Sequence, residues 1–151
     1  MAFDAFLKLD QIDGDSLDKS FLNQIEVTTF DWSLERPDGS PSTPLGNLVI
    51  GDLVIQAPTG KQTTKIVDRL TKNQQITGGE LALTEVDNKT GARVKAFGYK
   101  MTNCLVSSYR LQSGGDTSSP DMETFTLRWT ELDFTNTNTA NSVHIDRNTD
   151  T

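Results

Sequence analysis

The chain has 151 residues, a formal net charge of −7 and a pI of about 4.6. This length favours a single domain, and the acidic balance, with no cluster of Lys or Arg, disfavours nucleic-acid binding. The lone cysteine, Cys104, excludes an internal disulfide. No apolar run approaches the ~20 residues of a membrane span.

The first third of the chain predicts two strands joined by an acidic connection. Apolar residues alternate with charged ones over residues 3–9, which is the period of a strand with one buried face. A second strand is predicted over about residues 25–35. On this strand Thr29, Asp31 and Ser33 share one face, and the intervening aromatic residues lie on the other.

The middle of the chain predicts a long loop, a buried strand and one helix. Residues 36–46 contain three prolines and two glycines, which is typical of a loop. The nearly continuous apolar run at 48–55 predicts a strand covered on both faces. A short apolar stripe predicts a helix from Thr63, as N-cap, to about Asn73.

The last third predicts three more strands and a tail. They cover about residues 81–86, 94–111 and 124–134. The second is long enough to require a bend or bulge, and a switch in apolar parity predicts another bulge near Thr130. We therefore expect six or so strands that form a small β-barrel or two-sheet sandwich with one flanking helix.

A search for catalytic chemistry selects no site. Cys104 lies mid-strand and the only histidine, His144, lies in the polar tail, so a nucleophile–base pair or zinc site is disfavoured. Residues 57–64 resemble a phosphate loop only faintly, because the first glycine and the Ser/Thr after Lys61 are missing. Asp10, Asp13, Asp15 and Asp18 do not follow the calcium-loop spacing. No enzyme activity, cofactor or metal is predicted.

The order of several short motifs resembles the haemolysin-coregulated protein family, Hcp. The similarity begins with the N-terminal run and continues through the second strand, the helix and the last two strands. The motifs are Met1–Leu9, Gly14–Lys19, Ile25–Val27, Phe30–Ser33, Asp52–Leu53, Thr64–Asp68, Leu105–Ser108, Ser113–Asp116 and Glu123–Leu127. Together they cover about residues 1–135, and residues 136–151 are interpreted as a polar, flexible C-terminal tail.

The resemblance implies a structural tube subunit of bacterial type VI secretion. It predicts a β-barrel that assembles as a hexameric ring, with rings stacking into a tube that carries effector proteins. The implied partners are other copies of the chain, a spike protein, a contractile sheath and effectors. It also predicts a protein made in the bacterial cytoplasm and secreted by this machine without a signal peptide.

Two surfaces are candidates for roles in such a tube. The polar strand face of Thr29, Asp31 and Ser33 is predicted to line the lumen, where copies of Asp31 would form an acidic ring that steers basic cargo. An ordinary solvent-facing strand is the alternative. The loop at 36–46 is predicted to contact the next ring, and a plain mobile loop is its alternative. The loop residues are Arg36, Pro37, Asp38, Gly39, Ser40, Pro41 and Pro44.

Two other functions remain open from the sequence. A phage-like tail tube protein would have the same kind of barrel and would be distinguished by neighbouring capsid genes. A monomeric ligand-binding barrel would instead be monomeric in solution and contain a closed apolar cavity.

Overall fold

The computed structural model of the chain describes residues 4–37, 46–116, 118 and 121–147. This part contains ten strands and one helix. The elements are β1 (Asp4–Leu9), β2 (Ile25–Val27), β3 (Thr29–Asp31), β4 (Leu34–Glu35), β5 (Val49–Ile50), β6 (Leu53–Pro58), α1 (Thr63–Thr71), β7 (Ile76–Val86), β8 (Arg93–Gln112), β9 (Met122–Asn136) and β10 (Asn141–Asp146). The predicted mainly-β fold with a single helix is confirmed.

The main sheet closes almost completely into a barrel because one extended segment changes partners. The strand order is β2-β1-β7-β8-β9-β6-β3, and every pairing is antiparallel. The end strands β2 and β3 follow one another in the chain, separated only by Thr28, whose N–H donates to Gln56 O. The predicted strand at 25–35 is therefore divided, with β2 on β1, β3 on β6, and β4 paired with β5 in a separate ladder.

Large apolar side chains fill the barrel interior. Trp129, Phe125, Leu127 and Met101 are essentially inaccessible to solvent. Aromatic rings continue the core at one end; Trp32, for example, contacts Tyr99 with a centroid separation of 5.2 Å. This dense packing stabilises the barrel by removing apolar surface from water.

At one pair of residues, the two longest strands, β8 and β9, both change which set of alternate side chains points into the barrel. Asn103 has a φ of 54°, a left-handed value that asparagine tolerates, and the Thr130 hydroxyl donates to Asn103 O. The register between β8 and β9 is the same before and after this pair, since Thr102 lies opposite Glu131 and Cys104 lies opposite Trp129. The expected bulge near Thr130 was thus wrong. The register shift lies between Val106 and Ser108, as the length of the predicted 94–111 strand required.

The helix begins with Gln62 as its N-cap residue, and Thr63 is the first helical residue. Thr63 nevertheless contributes, since its hydroxyl accepts a hydrogen bond from Gly60 N–H. The apolar stripe buries Ile66 completely, and the helix packs against β8. The predicted helix position is confirmed with this change of cap.

The C-terminal segment, expected to be flexible, contains a strand. Residues of β10 pair with β9 from Asn141↔Asn136 to Asp146↔Glu131. Arg147 then donates to Asp52 Oδ1 at 2.8 Å, and its guanidinium lies 4.6 Å from the centroid of the Trp129 ring. Val143 and Ile145 alternate with polar residues, so a strand signal was present but short.

Candidate assembly surface

A polar face crosses four neighbouring strands on the outside of the barrel. The register places Thr29 of β3 beside Gln56 of β6, and continues through Thr124 of β9 to Arg110 of β8. A second row runs parallel to it through Asp31, Val54, Thr126 and Ser108. We name these eight residues the polar face.

Hydrogen bonds between side chains organise the polar face. The Thr29 hydroxyl donates to Gln56 Oε1 at 3.0 Å, and the Ser108 hydroxyl donates to Thr126 Oγ1 at 2.8 Å. Thr29, Asp31 and Ser33 are exposed as predicted, while Phe30 and Trp32 pack on the core. The face is therefore a hydroxyl-rich surface on a rigid support.

The charge of this surface differs from that expected from Asp31 alone. Arg110 lies in the first row of the polar face, and Arg128 lies on the same side of β9, two residues after Thr126. One carboxylate is therefore accompanied by two guanidinium groups. A purely acidic ring does not follow from this arrangement.

The predicted stacking loop is carried on a short hairpin stem. Leu34 pairs with Ile50 and Glu35 with Val49, and Gly46 N–H donates to Pro37 O at 2.9 Å. Arg36 and Pro37 are exposed. The other loop residues of the prediction, Asp38, Gly39, Ser40, Pro41 and Pro44, lie outside the described residues. The stem also exposes Leu34 and Val49, which are 39% and 46% accessible.

Two strands have an edge without a strand partner in the described part of the chain: the end of β8, and β10. In the described part of the chain, β7 pairs with β8 only as far as Cys104, and from Leu105 to Gln112 β8 pairs with β9 alone. Likewise, within the same described ranges, β10 pairs only with β9. These strand edges expose the apolar residues Leu111 and Val143. Unpaired edges and exposed apolar side chains are typical of surfaces that meet another chain.

Comparison with known proteins identifies the family. Residues 6–135 match the family described as "Type VI secretion system effector, Hcp". The chain belongs to the Hcp family. It is thus a structural subunit of the type VI secretion tube and a secreted protein, and the Hcp family is not a family of enzymes. The resemblance stated from the ordered motifs is confirmed.

Solved Hcp structures share the fold at low sequence identity. Hcp1 from Salmonella typhimurium is 19% identical with a TM-score of 0.81, covering 99% of this chain and 98% of that chain. A "type six secretion system protein" is 23% identical with a TM-score of 0.81, covering 99% of each chain. Secreted protein Hcp3 from Pseudomonas aeruginosa is 13% identical with a TM-score of 0.76, covering 96% and 98%. No curated protein matches.

The residues considered for chemistry have structural roles in this Hcp chain. Cys104 is completely buried, and burial raises the pKa of its thiol to about 12, so the nucleophilic thiolate is suppressed. His144 was expected in a polar tail, but it lies on the outer face of β10, beside Asp133. In the loop that faintly resembled a phosphate site, Lys61 N–H donates to the Asp15 carboxylate. None of the helices in the described residues is long and apolar enough to cross a membrane.

Sequence reasoning missed a buried polar network that joins the helix to the barrel. Glu123 is fully buried, and its two carboxylate oxygens accept hydrogen bonds from Gln62 Nε2 and the Tyr109 hydroxyl. Gln62 also donates to Pro58 O at 2.9 Å. Gln62 and Glu123 are 61 positions apart, so no local pattern indicates the contact.

A second missed feature is the segment that covers the outside of β1. Phe21 stacks on Phe6 with a centroid separation of 4.8 Å. Arg93 fixes the same segment by donating to Asp18 at 2.9 Å. Leu17 is left 85% exposed on this anchored segment, which adds another apolar point of contact for a neighbouring molecule.

Proposed function

We propose that six copies of this Hcp chain close into a ring and that the rings stack into a secretion tube. Two observations together carry the proposal. The barrel has a hydrogen-bonded polar face, and in the described part of the chain β10 and the end of β8 each pair with β9 alone. A barrel complete in itself does not require such edges, whereas head-to-tail contacts between identical copies use them repeatedly.

The polar face is the proposed lining of the lumen. Its threonine, serine and glutamine side chains offer hydrogen-bonding groups without a large apolar patch, which suits the passage of folded proteins of varied sequence. Asp31 acts on cargo together with Arg110 and Arg128, so electrostatic steering depends on all three charges.

The loop at 36–46 is the proposed contact between stacked rings. Its stem continues directly from β3, which carries two of the candidate lumen residues. The loop base is fixed by two hydrogen bonds, since Arg36 donates to Gly46 O at 2.9 Å and Gly46 N–H donates to Pro37 O. A loop that leaves the barrel on a rigid stem can reach an adjacent ring at low cost in conformational entropy.

The further partners of the proposed tube are a spike protein, a contractile sheath and effector proteins. These roles rest on membership of the Hcp family. In this proposal the chain is made in the bacterial cytoplasm and leaves the cell through the secretion machine. The packed interior argues against the alternative of a monomeric ligand-binding barrel, because large side chains occupy it.

Light scattering of the purified full chain tests the ring. A mass of about 100 kDa, six times the 16.6 kDa of one chain, is expected for a closed hexamer. Electron microscopy of the same sample then tests ring shape and stacking. A strict monomer at high protein concentration would refute a self-assembling ring and would return the chain to the monomeric alternatives.

A further inference from the structure

Two cross-strand pairs on β9 and β10 place a histidine among carboxylates. His144 lies opposite Asp133, and Asp146 lies opposite Glu131. Side chains two positions apart on a strand share a face, so all four lie on the same outer face. His144 and Asp146 also lie beyond residue 135, where the match to the Hcp family ends.

The hydrogen bond between His144 and Asp133 orients the imidazole. The distance from Nδ1 to Asp133 Oδ1 is 2.6 Å, so Nδ1 carries the proton that Asp133 accepts when the ring is neutral. The other nitrogen, Nε2, lies 3.4 Å from Glu131 Oε1. A carboxylate behind a histidine whose second nitrogen faces further carboxylates is the arrangement that supports histidine ligands of metal ions.

The spacing of the remaining groups suits a single ion. One ligand atom from each of Glu131, His144 and Asp146 lies within 4.8 Å of the others. An ion bound at about 2.0–2.2 Å holds its ligand atoms roughly 3–4 Å apart, so small side-chain movements bring the three together. One imidazole and two carboxylates form a ligand set for Zn²⁺ and related divalent transition metals.

We propose that Glu131, His144 and Asp146 bind a divalent transition-metal ion, with Asp133 as the positioning residue for His144. The ion bridges β9 and β10 and thereby holds the C-terminal strand on the barrel. The cluster differs from a simple acidic surface because the oriented imidazole selects transition metals over Mg²⁺ and Ca²⁺, which prefer oxygen ligands.

Neighbouring charges set the conditions for the test. On β8, Lys100 lies opposite Asp133, and Thr102 lies opposite Glu131. The hydrogen bond to Asp133 raises the pKa of His144, with further contributions from Glu131 and from the charge of Asp133. Metal ligation requires the neutral imidazole, so binding is measured at about pH 7, above the usual histidine pKa and with Zn²⁺ still in solution.

Isothermal titration of the tag-free full chain with Zn²⁺ tests the proposal. We expect one ion per chain, with affinity at least about 10-fold weaker in His144→Gln and Glu131→Gln, and about 10–100-fold weaker in Asp133→Asn. Glu80→Gln is the control, because it removes a carboxylate from β7 that pairs with Lys95 instead. This control should bind Zn²⁺ with unchanged affinity.

Imidazole nitrogen chemical shifts provide a second readout that does not depend on affinity. Zn²⁺ should shift the Nε2 resonance of His144 while Nδ1 stays protonated. Circular dichroism of the exposed His144→Gln variant checks that the barrel still folds. The proposal is overturned by unchanged Zn²⁺ affinity in His144→Gln, by Mg²⁺ or Ca²⁺ binding as tightly as Zn²⁺, or by no binding at about 1 mM Zn²⁺.

Discussion

The hydroxyl of Tyr109 provides a sharp test of the buried network, because Tyr109→Phe removes one donor and leaves the ring in place. In the native chain this hydroxyl donates to Glu123 Oε2 at 2.7 Å. Burial, followed by the hydrogen bond and charge of Glu123, raises the pKa of Tyr109, so the hydroxyl keeps its proton. The variant leaves one oxygen of a fully buried carboxyl group without this donor.

The expected loss follows from the cost of an unpaired buried polar group. Removing one partner of a buried hydrogen bond costs about 1–3 kcal/mol. For a chain of 151 residues, each kcal/mol lowers the midpoint of thermal unfolding by roughly 2–4 °C. Denaturant unfolding at fixed protein concentration measures the free energy, and the concentration must be fixed because assembly also stabilises the folded chain.

Tyr99→Phe is the matched control. Tyr99 is 8% exposed and stacks on Phe134 at 4.6 Å, and within the described ranges its hydroxyl makes no hydrogen bond. The control should therefore lower the free energy of unfolding by less than Tyr109→Phe does, because it leaves no buried acceptor of the described residues without its donor. Equal effects of the two variants would show that Glu123 does not depend on the Tyr109 hydroxyl and would refute the reasoning.

Four further outcomes are expected from other parts of the molecule. Cys104 should resist alkylation in the native protein and react only in denaturant, by mass spectrometry; rapid native labelling would contradict its burial. Arg147→Met should lose the Asp52 ion pair, destabilise the fold by about 1–3 kcal/mol and increase hydrogen exchange in β10; unchanged exchange would show that Arg147 does not anchor the strand. Asp31→Lys should alter cargo retention without preventing hexamers, and unchanged retention would argue against a lumen position. Replacing residues 38–45 by a two-residue link should preserve hexamers and abolish tubes, whereas normal tubes would refute the stacking role.

Local sequence patterns predicted those strands that can be recognised without knowing which strands they pair with. The alternation in β1 and the length of β8 each indicated a strand without knowledge of the neighbouring strand. The apolar run at 48–55, predicted as one strand covered on both faces, instead divides into β5 and the start of β6, and only alternate residues of β6 are buried. The partner change at Thr28 was not predictable in this way. It depends on the Thr28 N–H donating to Gln56 O of β6, a strand distant in sequence, whereas residues 25–35 alone have the pattern of one continuous strand.

The C-terminal strand shows how composition can outweigh a weak pattern. The Asn/Thr-rich stretch from residue 135 to 141 favours a turn, and Ala140 has a φ of 60° there. The strand that follows has only two apolar residues, Val143 and Ile145, and Val143 is 59% exposed. Its stability depends on β9 and Arg147, which are tertiary partners.

For the candidate lumen face, the sequence predicted which side chains point outward but not the charge of the surface that they form. Alternation along β3 correctly placed Thr29 and Asp31 outward, because side chains reverse direction at each residue of a strand. Arg110 reaches the same face from a strand about eighty residues later, through pairing across β6 and β9. Sequence alone gives the face of a residue within its strand, whereas the sheet order decides which charges share that face.

The sheet order also gives the proposed ring a direction. At one end of β9, β8 lies on one side and β6 on the other, and within the described residues the end of β8 from Leu105 to Gln112 has no strand partner besides β9. At the other end, β10 lies on the side of β9 opposite β8. The two edges therefore face opposite ways across the sheet. In the proposed ring, a contact between β10 of one copy and the free edge of β8 in the next would repeat head to tail until the copies close the ring. Charged substitution of Val143 should then weaken hexamers more than charged substitution of Val86, which is exposed to a similar degree on β7. Equal effects on the scattering mass would exclude β10 from the ring contact.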